Sequence, residues 1–380
     1  MEHNIVSVTA VTDNFPTGQK ITAARIRYGC DASSYFHPEA YRVEGRTITS
    51  ARVEGDTVIL ELEPQGLIPP PPKPPKGAAP PPPPKKGPPN LPPAVRLPVE
   101  VTVLVDGAAY RSEGSIEPVV EDFKQFQLNG MWYNLYIPKL EDGKTYPLVL
   151  YIHDAGMCGA DPKITLSQGY GAIGFAEESW QKDHPCFVLA PQVDKYPYGP
   201  MTNDAFEVTE DFVRVKKILE HVLVNYPVDM KRIYVTGQSM GCMAACEFNV
   251  RYPGLFAASL LVAGQWSPEK MAESCTDSNL WILVSRNDGK AFPGMNAVTE
   301  AMEKAGSRIG RYCWNAKTAD LDAEVQKALS DDVNIRYTVF EDSSVVPEGV
   351  DPTPVANHMA TWPVVYPIRS LKEWLFSNSK

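Results

Sequence analysis

The chain lacks any run of about 18 apolar residues that would cross a bilayer as a helix. Its start, Met1-Glu2-His3-Asn4, has neither the basic nor the apolar region of a signal peptide, so a cytoplasmic location is expected unless a leader precedes it. Basic charge is in deficit: 36 Lys and Arg against 46 Asp and Glu leave a formal charge of −10. That balance disfavours nucleic acid and anionic membranes, which need a basic face, and points to a small or neutral partner. Seven cysteines, Cys30, Cys158, Cys186, Cys242, Cys246, Cys275 and Cys313, are scattered with no C-x-x-C pair. Neither a disulfide framework nor a thiolate metal site is indicated. Cys242 and Cys246, four residues apart on an expected helix, read as small buried hydrophobes. No internal repeat is evident.

What is present is enough for more than one core: 380 residues, 43% of them hydrophobic. Short β-type runs at Ile5–Val8, Ile21–Ile26 and Val58–Leu62 are separated by Gly, Asp and Asn turn signals, the pattern of a β-sandwich. A further run, Val99–Val105, ends at Asp106-Gly107, a hairpin signal. Between them, 15 of the 25 residues from Pro69 to Pro93 are proline, with Lys73, Lys76, Lys85 and Lys86 interspersed. Proline has no N–H for a ladder, so this stretch is expected to be a solvated polyproline II excursion inserted in a small β-domain, a stiff spacer rather than an SH3-type ligand.

From about Glu121 strands and helices alternate, as in a mostly parallel sheet with helices on both faces. Strands are expected at 132–137, 148–152, 186–190, 232–236, 257–262, 280–284 and 335–340. Phe212, Val215, Leu219 and Val222 make one stripe of a helix over Thr209–Asn225, and Leu371, Trp374 and Leu375 another in the closing helix. The chain is therefore expected to divide into an all-β domain at 1–117, with its proline-rich insertion at 69–93, and an α/β domain at 118–380.

Gly237-Gln238-Ser239-Met240-Gly241 follows the β-rich run Arg232–Thr236 and opens the helix-like stretch Cys242–Val250. A tight strand-to-helix turn lifts a serine hydroxyl clear of the sheet only when both flanking positions are tiny, so this pentapeptide reads as the nucleophile elbow of an α/β-hydrolase. Such a serine needs a histidine later in the chain, after an intervening acid. There are six histidines. His3 and His37 lie in the β-domain, His153 ends an early strand, His184 precedes a strand and His221 sits in a helix. His358 alone follows both Ser239 and the last expected strand, in a loop over 354–362 before the final helix. Asp288, after the strand Leu280–Val284, has the position of the acid, with Glu341 and Asp342 as rivals. An oxyanion hole is expected from the N–H of Met240 and from the loop Tyr151-Ile152-His153-Asp154-Ala155-Gly156-Met157, through Asp154 or Ala155. His153 reads as a brace for that loop. Trp266 and Trp362 are candidate pocket walls, with a place in the core as the alternative.

With these residues assembled, the chain resembles the serine esterases of the α/β-hydrolase superfamily that carry an N-terminal immunoglobulin-like domain, a group described both as esterases and as predicted peptidases. The resemblance rests on Ile152-His153-Asp154-Ala155-Gly156, Phe187-Val188-Leu189-Ala190-Pro191-Gln192, the elbow, the stretch Asp288–Met295 and Asn357-His358-Met359-Ala360-Thr361-Trp362. Polyhydroxybutyrate depolymerases and feruloyl esterases are more distantly similar. The resemblance implies hydrolysis of carboxylic esters, short-chain acyl or aryl, free or polymer-linked, through Ser239, Asp288 and His358, with no metal or organic cofactor. Two departures stand out: Asp154 where many related hydrolases have glycine, and Cys242 where the elbow commonly continues with a second glycine. A prolyl-oligopeptidase-type peptidase and a binding protein with a vestigial triad are the rival readings.

Overall fold

The computed structural model describes residues 4–34, 36–70, 92–194 and 201–380. Of the stretch 69–93 expected to be polyproline II, residues 71–91, with its four lysines, lie outside the described residues, as does His3. The chain forms two compact units. One comprises the described residues of Met1–Pro70 and Val95–Asp122, together with Ser167–Gly169; the other holds the described residues of Pro71–Ala94, Phe123–Leu166 and Tyr170–Lys380.

In the first unit, apolar residues at alternate positions make half-buried strands. They are β1 (Ile5–Phe15), β2 (Gly18–Tyr28), β3 (Tyr41–Val43), β4 (Ile48–Glu54), β5 (Thr57–Gly66), β6 (Thr102–Val105), β7 (Ala108–Arg111) and β8 (Gly114–Ile116). Two sheets result, in the orders β4-β5-β2-β1-β8 and β3-β6-β7. Inward residues of both, among them Val8, Ile26 and Leu60 from the first and Tyr41, Val103 and Val105 from the second, share one core. β7 is the return strand of the hairpin signalled at Asp106-Gly107, whereas β3, β4 and β8 lie outside the expected runs: two have three residues each, and β4 buries no residue fully.

The second unit begins with β9 (Lys124–Leu128), β10 (Met131–Tyr136), β11 (Tyr146–Ile152) and β12 (Phe187–Gln192), and continues with β13 (Val228–Gln238), β14 (Ala258–Val262), β15 (Leu280–Ser285), β16 (Ile309–Trp314) and β17 (Ile335–Phe340). Their order is β16-β17-β15-β14-β13-β11-β12-β10-β9, parallel from β16 to β12 and antiparallel for β10 and β9. Every residue of β11, β12, β15 and β17 is buried, as a parallel strand covered on both faces requires. The unpredicted strands β9 and β16 are the two edges, where exposed Lys124 and Arg311 break the apolar pattern. From β11 the chain goes to β12 on one side and then to β13 on the other, so the strand order reverses between β11 and β13. Ligands of open α/β sheets bind outside the carboxyl ends of the strands at such a reversal.

The helices follow their sequence signals. The helix Glu210–Asn225 has Glu210 and Asp211 in its first turn, complementing the dipole, and buries Phe212, Val215, Ile218, Leu219 and Val222. It stops because Tyr226 precedes Pro227 and is extended at φ −126, ψ 154.

Candidate active site

The sharp turn between β13 and the helix Met240–Arg251 is Ser239, at φ 51 and ψ −116. That backbone conformation costs a non-glycine residue about 1–3 kcal/mol and persists only where its surroundings impose it. The imposition comes from close packing. A Cβ on Gly237 would lie 2.6 Å from the Gly241 carbonyl carbon and 2.8 Å from the Ile152 carbonyl oxygen, and one on Gly241 would overlap that oxygen. The Ser239 N–H donates to Val262 O at 3.0 Å, and Ser239 O accepts from Met243 N at 3.0 Å. The turn is thus tied to the neighbouring strand and to its own helix. Cys242 is accommodated by Gly264: a Cβ there would lie 2.5 Å from its sulfur. Ala263 beside it also has a positive φ, 49.

His358 does not sit in a loop. It lies in the second turn of a helix, Pro354–Val365, which Thr353 caps by accepting the Ala356 N–H at 3.1 Å and which Pro354 opens. A threonine cap before proline is a helix-start signal, and it overrides the loop expected here. The helix is moored by Asn357, fully buried, whose Oδ1 accepts from Ser285 Oγ at 2.9 Å and whose Nδ2 donates to Ser343 Oγ and to the carbonyls of Pro352 and Thr353. Ser285 ends β15, just before Asp288. One buried amide therefore ties the end of the strand that delivers the acid to the start of the helix that delivers the imidazole.

The imidazole bridges the two groups named from sequence. His358 Nε2 lies 2.9 Å from Ser239 Oγ, and Nδ1 lies 2.5 Å from Asp288 Oδ2. Asp288 is 3% exposed, and its other oxygen accepts the N–H groups of Lys290 and Ala291 at 3.0 and 2.9 Å. Burial pushes this carboxyl up, but the His358 hydrogen bond and charge and the two backbone donors outweigh it and hold it below the usual carboxylate range. The rival acids are elsewhere: Glu341 accepts from Asn315, and Asp342 is exposed, 3.6 Å from Arg286. The imidazole side chain is 26% exposed and Ser239 is partly exposed, so the reactive end of the chain of bonds is open to solvent while the acid end is closed.

Of the residues considered for the oxyanion hole, Met240 starts its helix, and its N–H has no acceptor among the described residues; nor have those of Asp154 and Ala155. The Gly156 N–H is taken by Asp154 Oδ1 at 2.8 Å, and that of Met157 by Asp154 O at 3.1 Å. His153, fully buried, braces the loop: its Nε2 accepts the Val193 N–H at 3.0 Å, which leaves Nδ1–H to donate to Asp154 O at 2.7 Å. Burial pushes its pKa down, consistent with this neutral, doubly bonded form.

The two tryptophans part company. Trp362 packs edge-on against the His358 ring, with centroids 5.4 Å apart. Trp266 is fully buried, and its Nε1 donates to the buried Glu247 carboxylate at 3.0 Å. It belongs to the core and is no pocket wall, because none of its surface is exposed and Phe206 packs against the ring at 5.6 Å between centroids. Sequence reasoning missed Asn357 and Gln238 as site residues, although both stand beside residues it singled out. Two buried cysteines away from the elbow are inert: burial pushes the Cys186 and Cys275 thiols up to about 12. Among the described residues no cluster of three metal-ligating side chains occurs, and no helix is long and apolar enough to cross a membrane.

No family model matches the chain. It is 28% identical over 141 residues to the poly(3-hydroxyalkanoate) depolymerase C of Paucimonas lemoignei, covering 35% of this chain and 30% of that protein. It is 26% identical over 165 residues to the acetylxylan esterase A of Aspergillus awamori, covering 42% and 50%. The matches thus span between about a third and a half of these curated relatives. Among solved structures, a thermostable esterase superposes with a TM-score of 0.76 at 24% identity, over 99% of this chain and 100% of that one. That likeness, the sheet order and the strand-turn-helix at Ser239 establish that the second unit has the α/β-hydrolase fold.

Proposed function

We propose that the protein is a serine hydrolase of carboxylic esters, acting by two-step acyl transfer. Ser239 attacks the ester carbonyl while His358 Nε2 takes its proton; Asp288 holds the Nδ1–H tautomer and stabilises the imidazolium. The N–H groups of Met240 and of the Asp154-Ala155 arm receive the charge that develops on the carbonyl oxygen. The protonated imidazole then gives its proton to the leaving alcohol, and the same base activates the water that releases the acyl group. The observation that carries the reading is the imidazole held between Ser239 Oγ at 2.9 Å and Asp288 Oδ2 at 2.5 Å. Support for ester over other acyl substrates comes from the relatives, a polyhydroxyalkanoate depolymerase and an acetylxylan esterase. These also favour short acyl groups or polymer-linked esters as the substrate class. Trp362 is assigned to the wall beside the acyl group. The same proposal takes residues 1–117 as an immunoglobulin-like sandwich that carries the proline insertion, and 118–380 as the catalytic domain.

The test pairs labelling by a fluorophosphonate with hydrolysis of p-nitrophenyl acetate and butyrate against a peptidyl anilide. Labelling at Ser239 together with preference for the esters is expected. Preference for the anilide would make the enzyme a peptidase, and absence of both labelling and turnover would make it a non-catalytic binding protein.

A further inference from the structure

Asp154 replaces the small residue that a close backbone approach to an oxyanion favours, and it brings a carboxylate to a place where negative charge must develop. Its surroundings explain how this is tolerated. Strands β11 and β13 are parallel neighbours with Ile152 opposite Gly237, so the residues that follow them leave the sheet side by side. Asp154 is 4% exposed and Gln238 1% exposed. Asp154 Oδ1 accepts the Gly156 N–H at 2.8 Å, and Oδ2 accepts from Gln238 Nε2 at 3.1 Å. Gln238 Oε1 in turn accepts from the hydroxyl of the fully buried Tyr151 at 3.0 Å. The amide has one orientation: a carboxylate only accepts, so Nε2 faces Asp154 and the carbonyl faces the phenol. Burial holds that phenol protonated, as a donor.

Resting on the acyl-transfer reading, we propose that Gln238 and Asp154 are positioning residues that lock the oxyanion-binding arm to the strand carrying the nucleophile. Gln238 is the residue before Ser239, and Met240 is the residue after it. A bond from Gln238 to the arm therefore fixes the spacing between the N–H groups of Asp154 and Ala155, which have no acceptor among the described residues, and the N–H of Met240. Donors stabilise a tetrahedral intermediate only when preorganised to within about 0.5 Å. The two donors that hold the carboxylate also turn its lone pairs away from the oxyanion. Gly156 is part of the device: a Cβ there would lie 2.9 Å from Asp154 Oδ1 and would displace it.

The test is a double-mutant cycle of Gln238→Leu and Asp154→Ala, read as kcat and KM for p-nitrophenyl butyrate and as affinity for a trifluoromethyl ketone, which forms a tetrahedral adduct. Each single change is expected to lower kcat by about 10- to 100-fold, with KM within about twofold and ketone affinity falling in parallel; the double variant should be no worse than the weaker single. Asp154→Asn, which keeps an acceptor for Gly156, should recover much of the loss. Activity of Gln238→Leu within about threefold of the parent, loss of kcat with ketone affinity intact, or additive losses would each overturn the proposal. If Gln238→Leu does not melt cooperatively, Tyr151→Phe, which deletes one hydroxyl at the far end of the chain of bonds, is read instead. A fall in its kcat and ketone affinity supports the proposal, and no change overturns it. Turnover that survives Ser239→Ala rejects the acyl-transfer reading itself, whereas the outcomes above reject the positioning pair alone.

Discussion

Each unit buries a carboxylate, and the two are answered differently. In the β-rich unit Glu117 pairs with Arg96, both side chains 7% exposed. Gln19 donates to Glu117 at 3.1 Å and to Thr12 at 2.9 Å, while Arg96 also donates to Gln19 Oε1 at 3.1 Å and to Ser167 Oγ at 2.8 Å. In the α/β unit Asp288 is answered by His358, and the imidazole hands its other nitrogen to a partly exposed hydroxyl. The first network joins Arg96, Glu117 and Ser167, which lie between strands, to Thr12 and Gln19 of β1 and β2, and its carboxylate and guanidinium are both buried. The second ends on an atom that faces solvent, and the proposed acyl transfer runs through that open end. Burial of a carboxylate is thus no sign of function by itself; the openness of its last partner is.

The sharpest way to test that contrast is Ser239→Ala, which removes the open end. It should lower kcat at least about ten-thousandfold and leave the unfolding midpoint unchanged in a denaturant titration. Asp288→Asn should follow, with a loss of about a thousandfold to ten-thousandfold from the wrong imidazole tautomer, whereas Asp342→Asn, an exposed partner of Arg286, should stay within about twofold. The reverse ranking would move the acid assignment. Glu117→Gln should do the opposite of Ser239→Ala. It strands the buried Arg96 charge and should cost about 3–5 kcal/mol of stability, with kcat of the folded fraction unaltered; a catalytic defect without a stability defect would erase the distinction between the two networks. Asn357→Leu falls between, lowering kcat about tenfold by loosening the mooring of His358 and destabilising by leaving Ser285 without its acceptor.

The smallest expected effect is a pH dependence set by His153. Its pKa is held below 6.5 by burial. Between that folded value and 6.5 the unfolded chain binds a proton that the folded chain does not, so stability is whole above about pH 6.5 and declines as the pH falls. His153→Gln, which keeps an acceptor for Val193, should flatten the difference between urea midpoints at pH 8 and pH 5. An unchanged difference would place the acid sensitivity elsewhere.

How much of this was legible follows a physical line. The strands β11, β12 and β15 are readable because a strand covered on both faces needs a nearly unbroken apolar run; the edges β9 and β16 are not, because an edge tolerates Lys124 and Arg311. The elbow was readable because only glycine fits beside the Ile152 carbonyl. Thr353-Pro354 carries a helix start, so the stretch 354–362 is helical where the sequence suggests a loop.

Sequence by itself determined which reactive groups exist and in what order: a serine between glycines, one histidine after the last predicted strand, and three carboxyls that follow strands. Only the tertiary structure decided that Asp288 meets the imidazole, that Trp266 donates to Glu247, and that Gln238 donates to the Asp154 carboxylate. Chain order and residue size are written locally, but a hydrogen bond between residues 70 or 84 positions apart is decided by which loops the sheet brings to one edge.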